Sequence, residues 1–331
     1  MASDPEFITI VVPALDEESC IERTVSGLLP EDDSYELLVV DGGSRDRTRH
    51  LVLAMAEKNP RIRLIANPGR IQACAVNLAA QVADPRSRTI VRADAHCSYP
   101  PGWARQVASA LSARRAEGAA SVVVPMITVG TDSSFQTAVA AAQNSRFGNG
   151  GSAHRRRAGD AGWIDHGHHA AFDREFFLSI GGYDETFAVN EDAELDIRVH
   201  KAGGRVWLES PALIQYHPRK TVRSLWKQYY GYGKGRARTV LKHRSLPKLR
   251  QMLPVGVMAA CAGSLALSTA WPGLIAVPVA YAGACAVAGQ SCVRPDGGIR
   301  DGLLSGASLW IMHMAWACGF FRGVAAGGRA V

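Results

Sequence analysis

Asp94 and His96 are the residues of this chain whose types and spacing most directly suggest chemistry. They follow Thr89-Ile90-Val91, a β-branched run that reads as a strand, and a spacing of two puts both side chains on one side of a strand end. A carboxylate and an imidazole are hard to bury, and together they can hold a divalent cation against a diphosphate. The same residues also suit a polar turn before Tyr99-Pro100-Pro101-Gly102, and spacing alone leaves both readings open. His166-Gly167-His168-His169 invites a metal as well, although histidines hydrogen-bonded along a strand show the same pattern. Asn190-Glu191-Asp192 opens a helical stretch, where Asp192 can serve as an N-cap or as a general base.

These groups need a scaffold, and the hydrophobic pattern supplies one. Strands are expected at 7–12, 35–40, 61–66 and 89–91. Between them come an amphipathic helix carrying Ile21, Val25, Leu28 and Leu29, and helices at 47–58 and 71–82. Strand and helix in alternation predict a mostly parallel α/β sheet. Its carboxyl edge would collect Asp16-Glu17, Asp41-Gly42-Gly43-Ser44, Asn67-Pro68-Gly69-Arg70 and Asp94-Ala95-His96, where open α/β sheets bind ligands. Further on, helices are expected at 103–115, 135–146, 174–180 and 193–202, and strands at 121–125, 163–172, 205–208 and 213–215. The segment 148–162, with five glycines and Arg155-Arg156-Arg157, is either solvated surface or a cationic lid over an anionic substrate.

The chain has 331 residues, 47% of them hydrophobic, which excludes a disordered protein. Its net charge of +7 is concentrated. Residues 217–250 hold eleven Lys or Arg and no acid, whereas 1–216 hold 22 basic and 28 acidic side chains. The 43 residues from 251 to 293 carry no charge, enough for two membrane spans of ~20 residues, with Trp271-Pro272-Gly273 as the turn between them. A third apolar run covers 302–321. A basic patch, interleaved with Trp226, Tyr229, Tyr230 and Tyr232 and set before apolar helices, favours an anionic membrane surface over nucleic acid. The expected organisation is a catalytic domain at 1–216, a basic interfacial segment at 217–250 and hydrophobic membrane helices at 251–331. No signal peptide is read at the N-terminus, so the large domain is expected on the cytoplasmic side of the inner membrane. Seven cysteines without a Cys-x-x-Cys fit reduced thiols.

In chain order, Pro13-Ala14-Leu15-Asp16-Glu17, Val40-Asp41-Gly42-Gly43-Ser44, Asp94-x-His96, Gly181-Gly182-Tyr183-Asp184-Glu185 and Glu191-Asp192 resemble an inverting family 2 glycosyltransferase of the GT-A fold. The basic segment and apolar tail narrow the resemblance to bacterial enzymes that add a sugar to a lipid-linked precursor in succinoglycan-type exopolysaccharide synthesis. The resemblance implies a UDP-sugar donor, UDP-glucose above all, a polyprenyl-diphosphate acceptor, and Mg²⁺ or Mn²⁺. It implies that Pro13, Ala14, Glu17, Asp41, Arg70 and Asp94 bind the nucleotide sugar, with Asp41 accepting from uracil. Asp94, His96 and His217 would hold the metal, His96 standing where the family commonly has a second Asp. Asp192 would be the base and Glu191 its neighbour. His168, His169, Arg155, Arg156 and Arg219 are candidates for the acceptor. No Gln-x-x-Arg-Trp follows residue 200, which argues against a processive synthase.

A nucleotidyltransferase would also use an α/β sheet with acidic metal ligands, but 13–19 has neither the Gly nor the Lys of a phosphate loop. A membrane-bound scaffold with a degenerate GT-A domain is the non-enzymatic alternative, suggested by the substitution at His96.

Overall fold

The computed structural model describes residues 5–130, 133–149, 161–247, 249–293 and 297–327. The chain forms two compact units, Met1–Ile127 with Arg156–Tyr216, and Thr128–Arg155 with His217–Val331. One division between the units falls between Tyr216 and His217. The segment from Thr128 to Arg155 differs, since it groups with the helical unit rather than with the sheet.

In chain order the sheet unit begins β1 (Ile8–Ala14), α1 (Ile21–Leu28), β2 (Tyr35–Asp41), α2 (Thr48–Lys58), β3 (Ile62–Ala66), α3 (Gln72–Val82), β4 (Thr89–Arg92), β5 (Cys97–Ser98), α4 (Trp103–Arg114), β6 (Ala119–Val124) and β7 (Met126–Thr128). After α5 (Ser134–Asn144), which belongs to the other unit, come β8 (Gly162–Ile164), β9 (His168–Asp173), α6 (Arg174–Ser179), α7 (Glu191–Lys201), β10 (Arg205–Leu208) and β11 (Ile214–Tyr216). The main sheet runs β3-β2-β1-β4-β9-β6-β10-β8. β1 and β2 are buried along almost their whole length, as β-branched strands covered on both faces must be. The first four strands are parallel, and so are β6 and β10. β9 runs antiparallel between β4 and β6.

The reversed strand β9 positions the site; β8, at the edge of the sheet, is reversed as well. Val91 pairs with Ala171, so the end of β4 meets the beginning of β9 and Asp94 comes beside His168. A register shift between Val122 and Val123 leaves Ala170 without a partner on β6, a bulge that divides the aims of His168 and His169. Three non-glycine residues hold a positive φ at the connections around this edge: Asp16 (57°), Arg70 (63°) and Asn190 (65°). Such conformations cost energy and concentrate where a loop must place a functional group.

The helical unit is built on α8 (Val222–His243), α9 (Leu249–Leu267), α10 (Ala276–Cys292) and α11 (Ile299–Ala325), with α5 against α11. Thr221 caps α8 through a reciprocal bond with Ser224. Glycines allow the backbones to touch. A Cβ on Gly233 would fall 1.9 Å from the Trp316 carbonyl oxygen, and one on Gly319 2.0 Å from that of Tyr230. Close packing through small residues suits helices in lipid. Leu249–Leu267, Pro272–Cys292 and Ile299–Ala325 are each long and apolar enough to cross a membrane.

Candidate functional site

Arg92, at the last position of β4, is the centre of the site. Its side chain is 3% exposed, and a buried cation requires anionic or hydrogen-bonding partners on all sides. Its Nη1 donates to Asp192 Oδ1 at 2.6 Å and to the Tyr183 hydroxyl at 2.8 Å. Nε lies 3.5 Å from Asp94 Oδ1. The Gln72 amide, turned with its oxygen toward the guanidinium, accepts from Nη2 and Nε at 2.6 and 2.7 Å. Tyr183 also donates to Asp192 Oδ1 at 2.6 Å. Asn77 fixes Tyr183 by bonding both its N–H and its carbonyl. Gly182 permits that approach: it holds φ at +65°, and a Cβ there would lie 2.3 Å from Asn77 Oδ1.

Asp192 therefore does not cap its helix. The N-cap of α7 is Asn190, without a side-chain cap bond, and Asp192 sits in the first turn with its carboxylate turned to Arg92 and Tyr183. Burial would raise its pKa, but Arg92, His169, His168 and the Tyr183 hydroxyl outweigh burial and hold it well below the usual carboxylate range. Glu191 behaves in the opposite way. Burial and the neighbouring Asp192 carboxylate push it up to about 7.

His168 bridges the two acids, with Nε2 3.6 Å from Asp94 Oδ2 and Nδ1 4.0 Å from Asp192 Oδ2. Burial alone would raise the Asp94 pKa, yet Arg92, His168 and His96 keep it lowered. His96 is bonded through Nδ1 to Glu17 Oε1 at 3.0 Å. Burial opposes ionisation of Glu17, and the bonds from His96 and Cys20 overcome it. A carboxylate on one imidazole nitrogen orients the other, the usual support behind a metal-binding histidine. Among the described residues no three His, Cys, Asp or Glu side chains are grouped to hold a metal by themselves. One hard carboxylate and one borderline imidazole at a strand end still fit Mn²⁺ or, through the carboxylate, Mg²⁺, which take much of their shell from phosphate and water.

The other expected site residues are distributed as follows. Pro13 and Ala14 end β1, where the Ala14 carbonyl accepts from Gly42. A Cβ on Gly42 would fall 2.8 Å from the Arg70 carbonyl oxygen, so glycine brings the β2 turn against the exposed Arg70 loop. Asp41 is 3% exposed and accepts from the Gly43 and Ser44 amides and the Ser44 hydroxyl, an anchoring role that its sequence context did not reveal. His169 is fully buried, with Nε2 2.9 Å from Asp196 Oδ1. His166 Nδ1 lies 2.6 Å from the other Asp196 oxygen. The three histidines of 166–169 thus divide between the site and a buried Asp196 cluster. β11 pairs with β5 so that Tyr216 is opposite Cys97 and its ring 6.0 Å from that of His96. His217, the next residue, and the exposed Arg219 belong to the helical unit. Arg155 and Arg156 lie outside the described residues.

Arg92 and Gln72 were not anticipated, and Tyr183 was seen only as part of a motif. The available signal was Arg92 two residues before Asp94 at the end of a buried strand, a poor place for an unpaired cation.

The arrangement offers an ionised carboxylate, Asp192, across His168 from a metal-competent edge, Asp94 and His96. The succinoglycan biosynthesis protein ExoA of Rhizobium meliloti (strain 1021) is 44% identical over 319 residues, which are 95% of this chain and 93% of that protein. The mannosyltransferase PcManGT from Pyrobaculum calidifontis, solved in complex with GDP-Man and Mn²⁺, shares the fold at 20% identity, with a TM-score of 0.52 over 94% of this chain and 86% of that one. The family described as Glycosyl transferase family 2 matches residues 9–181, from the first residues of β1 through the loop that carries Gly181, and the chain belongs to that family.

Proposed function

We propose that the chain transfers a hexose, glucose by preference, with inversion from a UDP-sugar to a saccharide on a polyprenyl diphosphate, as a step of succinoglycan-type exopolysaccharide synthesis at the cytoplasmic face of the inner membrane. The observation that carries the reading is the Asp192 carboxylate, kept ionised by Arg92 and Tyr183 while its second oxygen points toward His168. The acceptor hydroxyl loses its proton to Asp192 as its oxygen attacks C1, and the bond from C1 to the diphosphate breaks, releasing UDP. Charge builds on the sugar as in glycoside hydrolysis, and a single displacement without a protein nucleophile inverts C1. His168, between Asp94 and Asp192, can hold an acceptor hydroxyl there. A divalent cation on Asp94 and His96 would neutralise the leaving diphosphate as a Lewis acid. The kinship with ExoA supports the pathway, and the apolar helices of the second unit support a membrane-carried acceptor.

Purified full-length protein in detergent, given UDP-sugars and a polyprenyl-diphosphate saccharide, should release UDP only with Mg²⁺ or Mn²⁺ present. Excess chelator should abolish release, and His96→Ala should weaken Mn²⁺-dependent binding of UDP by calorimetry. Full turnover in chelator, or unchanged metal-dependent UDP binding in the variant, would remove the metal from the reading.

Asp41→Ala should reduce affinity for UDP by roughly tenfold or more, the worth of one charge-assisted hydrogen bond of about 1.5–3 kcal/mol. Because Asp41 also anchors its own turn, the melting temperature should fall with it. The informative quantity is the ratio of UDP to inorganic diphosphate affinity. A ratio equal to that of the wild type would take uracil recognition away from Asp41.

A further inference from the structure

α7 carries Asp192 in its first turn, and that turn begins without a side-chain cap bond. Arg92 and Tyr183 both bond Oδ1 of Asp192. Two bonds to one atom fix that atom and not the direction of Oδ2, which depends on how α7 itself is seated.

Asp196 stands four residues after Asp192, one turn along the same face of α7, and its side chain is 3% exposed. Both of its oxygens meet histidines from the start of β9 and the turn before it. Oδ2 is 2.6 Å from His166 Nδ1, and Oδ1 is 2.9 Å from His169 Nε2. Burial would raise the Asp196 pKa, but His169 and His166 outweigh it and keep it lowered. A buried carboxylate needs such partners on each oxygen, so this one is held rather than merely enclosed. α7 and β9 are thereby matched at two successive helix turns and two successive strand residues: His168 Nδ1 is 4.0 Å from Asp192 Oδ2, and His169 meets Asp196.

A second set of contacts closes the same loop. The His169 ring stacks on Phe172 at 5.0 Å, Phe172 meets Tyr183 edge-on at 5.8 Å, and Tyr183 donates to Asp192. Gly167 lets the strand enter this close: a Cβ there would lie 2.6 Å from Val123 Cγ2, so the backbone between His166 and His168 is pressed against β6. Farther along α7, Arg198 pairs with Glu194 and donates to the Ile180 carbonyl, which ties down the later turns.

We infer that Asp196, clamped between His166 and His169, is a positioning residue for sugar transfer, resting on the reading of Asp192 as the base: it sets the rotation and height of α7 over β9, and so where Asp192 Oδ2 meets the acceptor hydroxyl. A displacement of about 1 Å at a reacting group can cost about 10²-fold in rate.

Asp196→Ala and Asp196→Asn in the full chain, each alone and together with Asp192→Asn, test this by three measurements: transfer from UDP-glucose to a polyprenyl-diphosphate saccharide, UDP affinity by calorimetry, and hydrogen exchange by mass spectrometry. Asp196→Ala should lower kcat by roughly 10- to 100-fold, with the KM for UDP-glucose and the UDP affinity unchanged. Asp196→Asn keeps the volume and an oxygen that can accept from His169, and should recover most of that rate. With Asp192→Asn already present, Asp196→Ala should cost no more than about twofold further, because the group it positions is gone. His166→Ala, at a partly exposed position where folding is not at stake, should show a smaller loss of kcat in the same pattern. Exchange over 190–197 should be faster in Asp196→Ala, with that of β1 to β4 unchanged. Wild-type kcat in Asp196→Ala or His166→Ala, equal rates for the Ala and Asn variants, or the same loss in both Asp192 backgrounds overturns the positioning role and leaves Asp192 as the base. Near wild-type transfer by Asp192→Asn alone overturns the base reading, and the inference with it. Exchange needs no donor, so unchanged exchange over 190–197 overturns the clamp whichever sugar nucleotide is the substrate.

Discussion

Asp192→Asn should cut sugar transfer by roughly 10²–10⁴-fold while UDP binding stays near that of the wild type. Asn keeps the size of the side chain and an oxygen that can accept from Arg92 and Tyr183, so the site geometry survives better than with Ala. What it loses is the ability to take the acceptor proton. The change is not silent for stability, because Asp192 is part of an ion pair rather than a helix cap, and a neutral partner leaves Arg92 with less compensation. The decisive comparison is therefore transfer against UDP affinity in the same folded sample. Near wild-type transfer by the variant would dismiss Asp192 as the base.

Glu191 is the natural rival, and pH separates the two. Asp192 is held ionised well below neutrality, so its own titration lies far to the acid side. Glu191, pushed up to about 7 by burial and by Asp192, titrates in the working range. If Asp192 is the base, Glu191→Gln should keep transfer and flatten any change in rate near pH 7. If Glu191 is the base, the same variant should lose transfer altogether. Stability gives the sign a second check. A pKa raised from 4.5 by folding contributes stability that is fully present below 4.5 and is lost as pH climbs through about 7. Glu191→Gln should therefore raise the melting temperature relative to wild type above pH 7.

Much of the sheet was legible because β1, β2 and β4 are short runs rich in Val, Ile or Leu, and burial on both faces leaves little ambiguity. The carboxyl edge was legible for the same reason, since Asp41 and Asp94 interrupt runs that would otherwise remain apolar. β9 was harder. Its residues read as a strand, but nothing in 168–173 states that it runs antiparallel between β4 and β6, and that placement is what brings His168 to Asp94. The role of Arg92 depends on groups 91 and 100 residues away, beyond the reach of any local pattern. Likewise, α5 reads as one more helix of an α/β unit, whereas its partner is α11, more than 150 residues later. Asp192 shows the limit from the other direction. Its position before a helix suited a cap, and only the long-range partner Arg92 decides that its carboxylate is used elsewhere.

Arg92→Ala should be the most damaging single change in the sheet unit. The guanidinium is buried between Asp94 and Asp192, and removing it leaves two carboxylates facing each other across His168 in a poorly solvated site. Breaking a buried pair from one side costs about 3–5 kcal/mol, much more than the net worth of the pair itself. Burial would then dominate the Asp192 pKa and push it upward, so residual transfer should appear only toward alkaline pH, where the carboxylate ionises again. Arg92→Lys tests the fork separately, because an ammonium keeps the charge but cannot satisfy Asp192, Tyr183 and Gln72 together. Its melting temperature should lie between those of Arg92→Ala and the wild type. The double variant Arg92→Ala with Asp192→Asn removes cation and anion together, and its melting temperature should exceed that of Arg92→Ala alone, with transfer still lost. Strictly additive losses in that cycle would mean that Arg92 does not hold Asp192, and the base would have to be ionised by other means.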